Sequence, residues 1–259
     1  MIYQVFLAEK SKSKKTFALW MTILGALLVP VVSFLIIYFR WKHFLPQIEE
    51  NAWIKLISIN FSFSAGLLFP FLVILFVAFN LNLEYKADSW KKLYTIPIRK
   101  ETLFWGRFLF LAFQLLSCIL IFSFGVLVTG VILGLVRPEL ELFIQTLDLI
   151  WFVKLMVSLF ISLLGILTIQ LILCIIFNNM ILPITIGIML IIISIVISIG
   201  WKYAMLDPYA FPLLLSNSID KRVVIPLFLG FRLTQILSIL YFVVFSLIGM
   251  VYYKNKKIK

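Results

Sequence analysis

The chain has 259 residues, of which 63% are hydrophobic and only 13% charged, and its mean hydropathy is +1.13. A soluble domain carries roughly 25% charged residues and could not bury this much apolar surface. Soluble enzyme folds, disordered chains, collagens and disulfide scaffolds are therefore excluded, and the chain reads as an integral membrane protein. The net charge of +12 comes from 23 basic and 11 acidic residues. It is concentrated in short segments between apolar runs, which points to membrane topology and not to a nucleic-acid partner. His43 is the one histidine, too few for a zinc site of the HExxH type. Cys118 and Cys174 sit inside apolar runs and read as small buried hydrophobes.

A bilayer core about 30 Å thick needs roughly 20 apolar residues of helix. Six runs qualify, none with the alternation of a β-barrel strand. The expected fold is an all-α polytopic membrane protein with six transmembrane helices in one transmembrane domain over residues 1–259. Residues 1–15 form a lead-in in which Ile2, Tyr3, Phe6 and Leu7 precede Lys10, Lys12, Lys14 and Lys15. This composition suits an amphipathic helix in the cytoplasmic interface, the alternative being a frayed tail with lysines on headgroups. The first span, Phe17 to Phe39, is too long for a signal-peptide core and reads as an uncleaved anchor. The second, Leu56 to Leu83, carries Ser58, Ser62 and Gly66 at four-residue spacing.

Residues 84–102, EYKADSWKKLYTIPIRKET, form the one substantial cytoplasmic loop. Asp88 or Ser89 can cap a short helix there, and Pro97 ends it by pushing Ile96 out of the helical region. Trp90, Leu93 and Tyr94 then share one apolar face, away from Lys91 and Lys92. That face either meets a partner or lies on the headgroups as part of an aromatic belt.

The third span, Phe104 to Val136, contains Gly130 and Gly134 as GxxxG. The fourth, Leu149 to Phe177, carries the stripe Ser158, Ser162, Gly165, and the fifth, Ile181 to Gly200, carries Ser194 and Ser198. Small residues at this spacing let helices approach closely, and lining of a pathway is the second reading. Asn80, Asn82, Gln114 and Gln170 can bond across helices. Residues 201–232 are too apolar for an ordinary loop. AFPLLL and VVIPLFLGF are too short to span, and each is broken by proline. They read as an outer re-entrant segment lying against the outer ends of spans five and six, with a polar turn at SNSIDKR. The sixth span runs from Leu233 to Tyr253.

Assigning Lys and Arg by side gives 14 on the side of the termini and second loop against nine on the other. Both termini are therefore expected in the cytoplasm. Lys154 lies near the outer end of its span and can snorkel outward. No Asp, Glu or Arg is expected at a midplane, which counts against an ion-coupled carrier and an intramembrane hydrolase. The nearest glycine pattern to a phosphate loop, Gly125 to Gly130, continues into Val131-Ile132 and lacks its lysine. The chain carries no ATPase motif and is not expected to be an enzyme.

Glu84, then Trp90-Lys91-Lys92-Leu93, then Ile96-Pro97-Ile98-Arg99, is similar to the E-x5-WK-L-x3-P-[IV]-[SR] pattern of small permeases in ABC-2 type (type V) exporters. The lysine-rich AEKSKSKK before the first span, and Asp207-Pro208-Tyr209 with Phe211-Pro212 after the fifth, resemble the same family. Arg107 keeps the charge of the lysine usual there. At this length the chain looks closest to lantibiotic-immunity and antimicrobial-peptide exporters. The resemblance implies a permease subunit with no cofactor of its own. A separate cytoplasmic ABC ATPase dimer would hold ATP and Mg, and a second permease, identical or homologous, would complete the pore. It implies that Glu84, Trp90, Lys91, Lys92, Leu93, Tyr94, Pro97 and Arg99 couple the permease to that ATPase, with Glu84 paired to Lys100 or Arg107. It implies an outer gate around Pro208, Pro212 and Pro226, an amphipathic peptide as substrate, and the bacterial cytoplasmic membrane as location. A secondary carrier and a structural or receptor-type membrane protein are the competing readings.

Overall fold

The computed structural model of the protein describes residues 1–14, 16–45, 51–86, 99–177, 179–216 and 233–255, with backbone alone for 84–86. Helix α1 covers Ile2–Ser13 and α2 Phe17–Phe39; α3, Ala52–Phe63, continues through a π turn, Ser64–Leu68, into α4, Phe69–Lys86. Then follow α5, Lys100–Val136; α6, Leu149–Phe177; α7, Ile181–Gly200; the short α8, Phe211–Ser216; and α9, Leu233–Asn255. No strand occurs among the described residues. Six of these stretches are long and apolar enough to cross a membrane, and they coincide with the six runs read from the sequence.

The helices extend past the apolar runs at both ends of the second span, at the start of the third and at the end of the sixth. The second span begins at Ala52 and the third at Lys100, four residues earlier than hydropathy places them. Hydropathy marks where lipid begins, whereas a helix continues while its hydrogen bonds and caps allow. Asn51 caps α3, its Oδ1 accepting from the N–H groups of Trp53 and Ile54 at 2.9 and 3.3 Å. The 37 residues of α5 reach about 56 Å at 1.5 Å per residue, so one end stands clear of a bilayer core.

Burial separates the spans into a centre and a periphery. The second and fourth are apolar all round, and 72% and 67% of their central windows are buried, against 22% for the fifth and the sixth. The core joins Phe61, Phe69, Leu72 and Phe76 of the second span, Leu111, Leu115 and Phe122 of α5, and Leu159, Leu163 and Leu167 of α6. Among lipid tails apolar burial drives helix association weakly, so close approach and hydrogen bonds fix the arrangement. Ser33 on α2 donates to Asn60 Oδ1 at 2.8 Å, a class of bond that averages about 0.6 kcal/mol in membranes. Cys118 and Cys174 are buried and not joined by a disulfide.

The π turn has a local cause. Pro70 has no N–H to offer the carbonyl four residues back, at Gly66, and its ring crowds that carbonyl. The helix widens instead, and the Phe69 N–H reaches back five residues to the Ser64 carbonyl. Widening rotates the residues beyond it, so Ser58, Ser62 and Gly66 do not form one straight stripe. Ser58 and Ser62 are half-buried, whereas Asn60 and Ser64 are fully buried.

Candidate functional site

Where α1 meets the bundle, the chain assembles its one densely charged interior cluster among the described residues. α1 lies on the first turns of α5, with Val5 against Gly106 so closely that a side chain at 106 would collide with it. The Phe6 ring meets Phe110 and Phe113 edge-on, with centroids 6.1 and 5.6 Å apart. Lys10 Nζ stands 5.5 Å from the Phe113 ring.

This docking buries Glu9 beside Arg107. Arg107 Nε donates to Glu9 Oε1 at 3.4 Å, and its Nη1 donates to the Tyr253 hydroxyl near the end of α9 at 3.0 Å. The guanidinium carbon lies 5.6 Å from the Tyr253 ring. Lys12 Nζ also approaches Glu9, at 3.2 Å. Nearer the surface, Lys254 pairs with Glu101 at 3.3 Å and Lys100 donates to the Lys254 carbonyl at 3.0 Å. One arginine thus clasps the N-terminal helix, the third span and the sixth span, and both termini lie at this end. Burying an ion pair costs desolvation on both partners, so the clasp contributes less to stability than to fixing which groups meet.

A second polar layer lies deeper. Asn80 on α4 donates to Gln114 Oε1 at 2.9 Å, and Gln114 Nε2 donates to the Thr22 hydroxyl at 2.8 Å and the Ala18 carbonyl at 3.1 Å. A small cavity lined by Glu9, Asn80, Arg107 and Phe110 separates this layer from the clasp. Spans one, two, three and six are thereby tied together at the end that carries the termini.

The residues expected to couple the chain to an ATPase mostly escape description. Trp90, Lys91, Lys92, Leu93, Tyr94 and Pro97 lie outside the described residues, as does the side chain of Glu84. Arg99 is exposed and caps α5, its carbonyl accepting from Thr102 and Leu103. Arg107 bonds to Glu9 and Tyr253, and the expected pairing of Glu84 with Lys100 or Arg107 lies outside the described side chains. Glu9 carried no signal, because a glutamate within a lysine cluster reads as a solvated charge.

The small residues meet several different neighbours. Gly130 accommodates the Trp53 ring of the second span, while Gly134 faces Phe143 on the segment after α5. The GxxxG pair therefore meets Trp53 and Leu56 of the second span at Gly130 and a loop side chain at Gly134, and not one helix at both positions. Ser158 and Ser162 donate to carbonyls of their own helix. Their stripe faces α9, where Ser238 donates to the Ile161 carbonyl at 2.7 Å and accepts from the Gly165 N–H at 3.3 Å. Gln170 crosses to the fifth span, its Nε2 donating to the Pro183 carbonyl at 2.8 Å.

The segment after the fifth span, expected against spans five and six, touches both, and α8 also reaches the π turn of span two and α6, on which it packs chiefly. Leu213 fills the space that Gly66 leaves open. Gly66 lies about 21 Å along its helix from Ala52 at 1.5 Å per residue, so the contact is deep in the bundle. Tyr209, Ala210, Phe211, Pro212 and Leu215 are buried and Pro208 is half-buried. Ser194 donates to Asp207 Oδ2, which ties the entry of this segment to α7. Among the described residues, Ser198 donates to the Ile195 carbonyl of its own helix. Pro226, VVIPLFLGF and all of SNSIDKR beyond Ser216 lie outside the described residues.

Comparison with known proteins agrees with this architecture. The family model described as "ABC-2 family transporter protein" matches residues 5–194, from α1 into α7. No curated protein and no solved structure matches the chain. The match covers most of the chain and sets aside the carrier and receptor readings. The chain belongs to the ABC-2 family of transporter proteins, as a multi-pass membrane permease.

Proposed function

We propose that the chain is the permease subunit of an ATP-driven exporter that moves amphipathic, membrane-active peptides outward, giving export or self-immunity against bacteriocin-like toxins. Two permease copies, identical or homologous, would form the pathway, with a cytoplasmic ATPase dimer supplying ATP and Mg. The bacterial cytoplasmic membrane would hold the complex with both termini inside. The observation that carries this reading is the Arg107 clasp at the end of the termini. It joins α1, the third span and the sixth span, and Arg107 follows by about two helical turns of sequence the loop whose pattern resembles the family's ATPase contact. A Trp90-Leu93-Tyr94 face would anchor in a groove of the ATPase, with Lys91, Lys92 and Arg99 steering it toward an acidic rim. Movement of that loop would tilt α5 and, through Arg107, α1 and α9 with it.

The outer side would be sealed by Tyr209 to Ser216 together with Pro226, parting when the spans rock. A small hydrophobic compound other than a peptide is the second substrate class. The test is co-purification of the chain with a stand-alone ABC ATPase from the same organism, followed by ATP hydrolysis with candidate peptides. Stimulation by amphipathic peptides is expected. Stimulation only by small hydrophobic compounds would move the assignment to the second class, and failure of any ATPase to bind would refute the exporter reading.

A further inference from the structure

The end of the bundle away from the termini carries a basic and aromatic corner that coupling does not use. α2 ends at Phe39, Arg40 caps it, and Trp41–Phe44 form one 3-10 turn. α5 ends at Val136 with Arg137 as its cap. These two endings meet. The Arg137 guanidinium carbon lies 5.2 Å from the Tyr38 ring and 5.5 Å from the Trp41 ring. Lys42 Nζ lies 5.9 Å from the same Trp41 ring, so two cations share one indole. Arg40 and His43 are exposed beside them.

No described carboxylate pairs with Arg137 or Lys42; Glu139 and Glu141, exposed on the next turn, make no ion pair with either. Arg137 Nε is buried and bonds to nothing among the described residues. Two rings thus hold a guanidinium whose hydrogen-bonding capacity is unspent, with a second cation beside it. Phe39, Leu135 and Val136, exposed at the ends of the same two helices, present apolar surface beside the charges.

We propose that this corner binds the phosphate of an anionic phospholipid headgroup. The guanidinium fork matches two phosphate oxygens, Lys42 supplies a second charge, and the rings sit where aromatic side chains meet headgroups. The exposed Phe39, Leu135 and Val136 give the upper carbons of an acyl chain an apolar contact, which a free phosphate would not use. Exposed Arg40 disfavours a headgroup with its own cationic amine. Placement in the outer leaflet rests on the topology proposed above, but the binding itself does not.

The full chain, purified in detergent without any ATPase, is titrated with a fluorescent short-chain phosphatidylglycerol. Glycerol phosphate and short-chain phosphatidylcholine serve as competitors. Wild type binds the anionic lipid, and Arg137→Gln combined with Lys42→Gln weakens binding by roughly tenfold or more, as expected for losing a charge-assisted hydrogen bond. Arg137→Lys, which keeps the charge and loses the fork, falls between. Thermal unfolding of each variant close to wild type shows that the loss is local. Unchanged binding in the double variant overturns the site. Competition by glycerol phosphate as strong as by lipid overturns the lipid assignment in favour of a free anion, and equal binding of phosphatidylcholine overturns the anionic preference. None of these outcomes depends on peptide transport, so the exporter reading stands or falls separately.

Discussion

Glu9→Gln removes one negative charge from the clasp while preserving side-chain shape. Glu9 and Arg107 are both over nine-tenths buried as side chains, and a single contact of 3.4 Å joins them, with no bidentate geometry. Removing one member of a fully buried pair costs 3–5 kcal/mol, whereas a hydrogen bond to a charged group contributes about 1.5–3 kcal/mol. The long contact and the retained Tyr253 bond place this substitution at the lower end, about 2 kcal/mol, or roughly 30-fold in the equilibrium between docked and undocked α1. The equilibrium is readable at Val5, which is buried against Gly106. A Val5→Cys thiol should react slowly with a membrane-impermeant maleimide in open membranes, and roughly 30 times faster when Glu9→Gln is added. Exchanging the charges, Glu9→Arg with Arg107→Glu, should return part of the protection. Equal labelling rates with and without Glu9→Gln would show that Val5 and Phe6 alone hold α1 down, and the clasp would lose its role.

Trp90→Ala should leave membrane insertion intact yet weaken ATPase association and abolish transport; pull-down of the ATPase at wild-type levels would contradict the coupling role. Gly130→Leu should drive a side chain into the Trp53 ring and destabilise the chain by about 1–3 kcal/mol, seen as a lower unfolding temperature in detergent. Asn80→Ala removes the bond to Gln114 and should cost about 1 kcal/mol with little effect on assembly, again read by thermal unfolding. A cysteine at Ser89 should be labelled from the cytoplasm only and one at Asn217 from outside only, and reversed labelling would invert the topology.

Much of the fold could be read from the sequence because lipid imposes a simple requirement. Each span needs a long apolar run, and Phe17–Phe39, Leu149–Phe177 and Ile181–Gly200 have the same limits by hydropathy and by hydrogen bonding. The lead-in was recognisable as a helix, but its docking on α5, which buries Val5 and Glu9, was not. Asn80 and Gln114 stood out as polar residues in apolar runs, and they bond to each other. What stayed hidden depends on register and on distance along the chain. The π turn breaks the four-residue spacing that joined Ser58, Ser62 and Gly66, and no pattern in the serines announces it; Pro70 was the available signal. Glu9 and Arg107 lie 98 residues apart, and nothing local distinguishes that glutamate from a solvated one. The depth of α8 follows from Leu213 meeting Gly66, a complementarity of shape that composition does not record.

The most direct test of the account is vectorial transport. The chain and its ATPase would be reconstituted into sealed vesicles with the ATP-binding subunit outside, and a labelled amphipathic peptide followed as ATP is added. The account predicts ATP-dependent accumulation of peptide in the lumen, lost with Trp90→Ala and impaired with Glu9→Gln. Hydrolysis of ATP with no movement of any peptide or small hydrophobic compound would contradict the assignment of an exporter permease.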